Sequence, residues 1–247
     1  MKIISRRKLL KDNIILGFKR FLTINVVFFI LLLLVRIYEY FYLRNTISLP
    51  MGSFKLELSG LGYDVLLLFN LSALLFFPFI VIYLLSKHLA NLISGFVLIF
   101  FVLTEIALIQ YLGTTSLLLG TDLFGYTFDE VIQIVSASGG FSIATILLVV
   151  VCIALMVSLL MFSNRLKFHS LAALVFVVIS LFSLLFQRYL KPQPGNYNSE
   201  LAYNLVANKA FHLFSAVYSF NYPDEASETS LFAYFYMGLS PVGKSFD

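Results

Sequence analysis

Five long apolar runs, separated by short polar segments, set the pattern of this chain: 21–42, 61–85, 89–111, 141–162 and 170–186. Each is about 17–25 residues, the length a helix needs to cross ~30 Å of hydrocarbon at ~1.5 Å per residue. In lipid every backbone N–H and C=O must be paired within its own segment, so runs of this length read as helices. The expected fold is an all-α membrane protein, a five-transmembrane-helix bundle. Two shorter patterns flank the runs. Thr127 and Glu130 stand three apart as a capping box, followed by Phe128, Val131, Ile132 and Val135 at helical spacing and closed by Gly139 and Gly140. After the fifth run, Pro192 and Pro194 break the chain. Tyr203, Val206, Ala207, Ala210, Phe211, Phe214, Val217 and Tyr218 then make one apolar stripe, with Asn204, Asn208, Lys209, His212 and Ser215 facing away. Both patterns predict short amphipathic helices lying in the interface, with Asn204 and Asn208 as solvated or capping residues. The run 231–239 is apolar but too short to cross.

Charge adds orientation. Lys2, Arg6, Arg7, Lys8, Lys11, Lys19 and Arg20 precede the first run, opposed only by Asp12. Lys87 and His88 lie between runs two and three, and Arg165, Lys167 and His169 between runs four and five. The loop after run three is acidic, with Asp122, Asp129 and Glu130; the loop after run one, with Arg44, Lys55 and Glu57, is nearly balanced. Arg188 and Lys191 run against this alternation. Basic loops stay cytoplasmic, so the N-terminus is expected inside and the C-terminus outside. The organisation that follows is a cytoplasmic basic N-terminus (1–20), a transmembrane domain (21–186) and an extracytoplasmic segment of interfacial helices and linker (187–247). The basic cluster is thus a topology signal, and no nucleic-acid partner is expected. Composition agrees: 60% of residues are hydrophobic and only 12% charged, against about 25% charged in soluble domains. Tryptophan is absent, so Tyr38, Tyr40 and Tyr42 are expected to serve as the aromatic belt.

Candidate chemistry is sparse. Cys152 is the single cysteine, and His88, His169 and His212 fall on different segments. No spacing matches a metal site, a phosphate loop or a nucleophile with its base, so no cofactor and no complete active site are expected in this chain. The remaining signal is charge inside the runs. Arg36 and Glu39 share a face near the outer end of the first run, Asp64 opens the second, and Glu105 lies about 9 Å below the end of the third. Charges in hydrocarbon require pairing or hydration, so the four mark a polar cluster in one leaflet. Two readings stay open for it: a site for a lipid headgroup, or an Arg36–Glu105 pair that pins the first run to the third.

The segment from Glu105 to Gly113, the segment from Asp122 to Glu130 and the Asn-rich stretch 198–215 resemble the membrane half of the lipoteichoic-acid-synthase-like sulfatases, a branch of the alkaline phosphatase superfamily that includes bacterial phosphoglycerol and phosphoethanolamine transferases. The resemblance implies a bacterial cytoplasmic (inner) membrane location and a membrane-anchoring, lipid-presenting role. It also implies a large extracytoplasmic catalytic domain with a Thr or Ser nucleophile on a divalent metal. No residue up to Asp247 matches that catalytic set, so the metal would belong to a separate or C-terminal catalytic domain. A non-enzymatic subunit of an envelope complex is the alternative. A small transporter fits least, because the charges avoid the midplane and no repeat is visible.

Overall fold

A computed structural model describes residues 2–121, 125, 127, 129–130, 132–133, 143–163, 165–166, 168–190 and 192–221. Among the described residues the regular elements are all helical: α1 (Lys2–Thr46), α2 (Ser53–Leu85), α3 (Lys87–Thr115), α4 (Ile143–Ser163), α5 (Ser170–Leu190), a 3-10 turn (Pro194–Asn196), α6 (Glu200–Val206) and α7 (Lys209–Asn221). Three of these helices, α1 from Lys11 onward, α2 and α3, are long and apolar enough to cross a membrane. The chain is a membrane protein by that criterion. The described apolar windows of α4 and α5, Val149–Phe162 and Ser170–Leu185, are shorter.

The helices outrun the apolar segments that nucleate them. Lys, Arg, Glu and Leu are all good helix formers, and no proline interrupts residues 2–46, so α1 runs for 45 residues. The start of α2 falls just after Pro50 and Gly52, whose φ of 81° is open to glycine at no steric cost. That start is eight residues ahead of the apolar run and draws Glu57 into the helix. Between α2 and α3 only Ser86 is non-helical. Its extended backbone reverses the chain, and its hydroxyl accepts from the Leu89 N–H at 3.3 Å, an ordinary N-cap. The capping box is present too. The Thr127 N–H donates to Glu130 Oε2 at 2.7 Å, and the Glu130 N–H donates to Thr127 Oγ1 at 3.4 Å. The backbone and hydroxyl bonds from Thr127 hold the Glu130 carboxyl below the usual range. Phe128, Val131, Val135, Gly139, Gly140 and the run 231–239 lie outside the described residues.

In the bundle α1 is the central helix, packed on α2, α3, α4 and α5, while α2 also meets α3 and α5, and α3 meets α4. Phe21, Ile24, Phe28, Leu31, Leu32 and Val35 form its buried stripe, at the helical spacing that brings side chains to one face. Phe28 meets Phe101 edge-on at 5.4 Å, and Phe21 meets Phe76 at the same distance. Short polar contacts fix the register between helices. Ser72 Oγ lies 2.6 Å from Asn25 Oδ1, Ser183 Oγ donates to Asn70 Oδ1 at 3.0 Å, and Arg20 Nε donates to Asn91 Oδ1 at 2.8 Å. Such contacts matter in lipid, where no hydrophobic force draws one apolar helix to another. Outward-facing Phe77, Phe96, Val151 and Phe182 are exposed, an arrangement suited to hydrocarbon.

The two ends of the bundle differ in charge. Arg20, Lys87, His88, Arg165 and His169 gather where α1 is mid-course, α2 turns into α3 and α4 turns into α5. At the opposite end the chain does something the stripe of residues 203–218 does not predict. It breaks into α6 and α7 at Ala207–Asn208, and neither helix lies across the bundle end. α6 packs on α2, and α7 runs along α3. Asn204 Nδ2 donates to the carbonyl of Ser116, just past α3, at 3.1 Å. Further down, Ala210 reaches Glu105, and Phe214 reaches Phe101 with ring centroids 6.4 Å apart. The pair therefore descends antiparallel to α3 as a wedge, about ten to fifteen residues of helix deep, or ~15–20 Å.

Candidate functional site

The wedge explains the charges. A broken helix inside a bundle leaves carbonyls bare at the end of one half and N–H groups bare at the start of the other. Each must be satisfied by protein, since water is scarce there. Arg36 Nη1 donates to the Leu205 carbonyl in the last turn of α6 at 2.8 Å, and Lys209 Nζ donates to the same oxygen at 3.4 Å. Across the break, Glu105 accepts from the N–H groups of Lys209 at 3.1 Å and Ala210 at 2.6 Å. Asn208 Oδ1 accepts from Phe211 N at 2.9 Å and completes the cap of α7. Cations thus sit at the negative end of one helix dipole and a carboxylate at the positive end of the other.

Around this junction the charges interlock. Arg36 forms a two-pronged pair with Asp64, Nε to Oδ2 and Nη2 to Oδ1, both at 2.9 Å. Its Nη1 also reaches Glu39 Oε2 at 3.0 Å and Glu57 Oε2 at 3.3 Å. Lys209 Nζ pairs with Glu39 Oε1, and Asn208 Nδ2 donates to Asp64 Oδ1 at 2.9 Å. All are buried: Arg36 is 6% exposed, Lys209 2%, and none of the four carboxylates more than 4%. Four carboxylates face two cations, and Glu57 Oε1 is a buried side-chain oxygen without a partner. Among the described residues no group of His, Cys, Asp or Glu is arranged to hold a metal ion.

Arg36, Glu39, Asp64 and Glu105, drawn from three runs, meet in this one cluster. Glu105 makes no direct ion pair with Arg36; it is linked through Lys209 and the backbone of α7. Two members escape the sequence reading. Glu57 counts there as a loop charge, yet Glu57, Gly60 and Asp64 stand at i, i+3 and i+7, one face of a helix, and that spacing is the signal available for it. Lys209 reads as part of a solvated face, and Asn204 and Asn208 as solvated or capping residues. The structure corrects the solvated reading, since all three are buried in the bundle, while Asn208 is indeed a cap, that of α7. A polar helix face carries the same pattern whether water or buried charge satisfies it. His88 and His169 stand at the basic end and His212 on α7, so the histidines do not gather.

Gly60 makes room for the cluster. A Cβ there would sit 2.8 Å from Arg36 Nη1, 2.9 Å from its Cζ and 3.1 Å from the Val206 carbonyl. Gly60→Ala is expected to destabilise by ~1–3 kcal/mol, the usual cost of overpacking. Gly62, two residues on, has nothing within 4 Å of such an atom. Gly62→Ala should be neutral or stabilising by up to ~1 kcal/mol, because glycine loses more backbone entropy in a helix. Thermal unfolding of the two variants in the same detergent checks the contrast.

Beside the cluster lies a cavity of about 110 Å³ between α2 and the wedge. Tyr63, Asn70, Tyr203, Asn208, His212 and Ser215 are among the residues that line it. Asn208 is shared, since the same side chain holds Asp64. The cavity therefore adjoins the charges, which are themselves buried.

Set against known proteins, the chain matches no protein-family profile, no curated protein and no solved structure.

Proposed function

We propose that this chain is the membrane-anchoring and lipid-presenting domain of a lipoteichoic-acid-synthase-like sulfatase, a phosphoglycerol or phosphoethanolamine transferase of the bacterial cytoplasmic membrane. In this reading α1 to α5 cross the bilayer, the basic end faces the cytoplasm, and the wedge enters from outside. The chain is not catalytic by itself; the nucleophile and divalent metal reside in an extracytoplasmic catalytic domain. The observation that carries the reading is the wedge. The segment after α5 is bound into the bundle by a buried ionic network, and such an anchorage holds whatever it supports at a set height and angle over the lipid surface. In this reading the 110 Å³ cavity beside the wedge is where a phospholipid headgroup would be presented at that height.

The alternative, a non-enzymatic subunit of an envelope complex that pairs its charges with a partner helix, has less support. Arg36, Glu39, Asp64 and Glu105 are all spoken for inside the bundle. Purification from native membranes in mild detergent separates the two readings. The proposal expects a metal-dependent transfer of phosphoglycerol or phosphoethanolamine from labelled phospholipid to co-purify. Stable co-purifying membrane proteins without that activity would favour the alternative. Topology is checked independently. In a Cys152→Ser background, Lys2→Cys is expected to react only from the cytoplasmic side of sealed cells and Ser245→Cys only from the outside. Reaction of both from one side would overturn the five-pass arrangement.

A further inference from the structure

A second cavity, of about 220 Å³, lies between α1, α2 and α3, on the basic-end side of the wedge. Its walls come from the apolar middle of the helices: Phe28 on α1, Leu75 and Phe79 on α2, Leu98 and Phe101 on α3. Phe214 of α7 also lines it. We infer that this groove holds one acyl chain of a phospholipid, taken in sideways from the bilayer. The inference deepens the lipid-presenting reading and rests on it, since it locates the hydrocarbon part of the lipid that reading calls for.

Three observations converge. First, the groove is lined by a proline and by small side chains. Pro78 lines it, and as the proline lacks an N–H it removes one bond of the α2 ladder beside the space. The facing residues of α3, Ala90 and Ser94, are small. Second, the two polar side chains that α1 and α2 bring to the wall are spent on each other and on backbone. Asn25 Nδ2 donates to the Phe21 carbonyl at 2.9 Å, and Ser72 Oγ lies 2.6 Å from both Asn25 Oδ1 and the Leu68 carbonyl. Apart from the single hydroxyl of Ser94 the wall is then apolar or self-satisfied, and such a space takes an apolar occupant. Third, the rim is lipid-facing. Leu75 is 37% exposed, Ile93 38% and Phe100 55%, and neighbouring Leu74, Phe77, Leu92 and Phe96 are more exposed than most of these. All belong to α2 and α3, two helices apolar enough to cross a membrane. The medium at that rim is acyl chain, and a cavity this size is too narrow for another helix, whose diameter is about 10 Å.

The test uses the full chain in vesicles of phosphatidylglycerol and phosphatidylethanolamine doped with a phosphatidylglycerol carrying a photoactivatable diazirine in its acyl chain. After irradiation, adducts are mapped by mass spectrometry. They are expected on groove residues such as Phe28, Phe79 and Leu98 in excess over freely lipid-facing Val150, Val151 and Val178. Ser94→Phe, which fills the groove from α3, is expected to lower the groove adducts by about tenfold, equivalent to about 1.4 kcal/mol of binding, and leave the outer ones unchanged. Should Ser94→Phe not accumulate, Val97→Phe fills the same space from the same helix. Adducts spread evenly over the lipid-facing surface, or groove adducts unmoved by filling, would overturn the inference. The readout needs no catalytic partner, so its failure is distinct from a failure to co-purify transferase activity.

Discussion

Arg36→Met is expected to destabilise the protein by on the order of 3–5 kcal/mol, the loss seen when one partner of a buried ion pair is removed. The guanidinium is the hub of the cluster. Without it, Asp64 loses both prongs of its pair, Glu57 loses its cation, and the Leu205 carbonyl keeps only the longer bond from Lys209. A single ammonium then faces four buried carboxylates. Arg36→Lys should recover only part of the loss, because a point charge cannot span Asp64 and Leu205 at once as the planar fork does. Thermal unfolding in mild detergent, followed by gel filtration, measures both variants. The melting temperature of the wild type should be almost indifferent to added salt, since screening acts on exposed pairs and this network is sealed. A wild-type stability for Arg36→Met would show that the cluster does not hold the bundle together.

Glu105→Leu is expected to release the wedge while the rest of the bundle stays folded. The substitution strips two N–H groups at the start of α7 of their acceptor, at about 1–3 kcal/mol each when they stay buried. It also removes the negative charge opposite the α7 dipole. The bundle can avoid that cost by letting α7 swing out, so local opening is the expected outcome. A cysteine at Ala210, which is fully buried, reports it in a Cys152→Ser background. Maleimide labelling of Ala210→Cys should be slow in the parent and fast with Glu105→Leu. A cysteine at Ala90, 1% exposed near the opposite end, should stay protected in both. Equal labelling at both positions would mean global unfolding, and no change at Ala210 would remove Glu105 from the role of cap.

These outcomes concern contacts of two kinds. Ser86, the Thr127–Glu130 box and the Arg36–Glu39 pair act between residues within one turn of each other, and short-range patterns of that sort are written along the chain. The joint between α1 and α7 is of the other kind: Lys209 meets Glu39 across 170 positions. Sequence spacing carries no trace of such a meeting, and the stripe that faces Asn208 and Lys209 away from the apolar residues is the same stripe a surface helix would show.

By itself, then, the sequence determined that this chain is helical, that its long apolar segments belong in a membrane and that Arg36, Glu39, Asp64 and Glu105 require pairing or hydration in one leaflet. Those conclusions follow from run length, backbone pairing and the cost of charge in hydrocarbon, all local quantities. Only the tertiary structure decided that the last helices turn inward, that Glu57 and Lys209 complete the cluster, and that Pro78, Ala90 and Ser94 line one cavity between α1, α2 and α3. The physical reason is that a polar face and an apolar face state what each must avoid, and several partners could satisfy either. Which partner does so depends on how the helices pack.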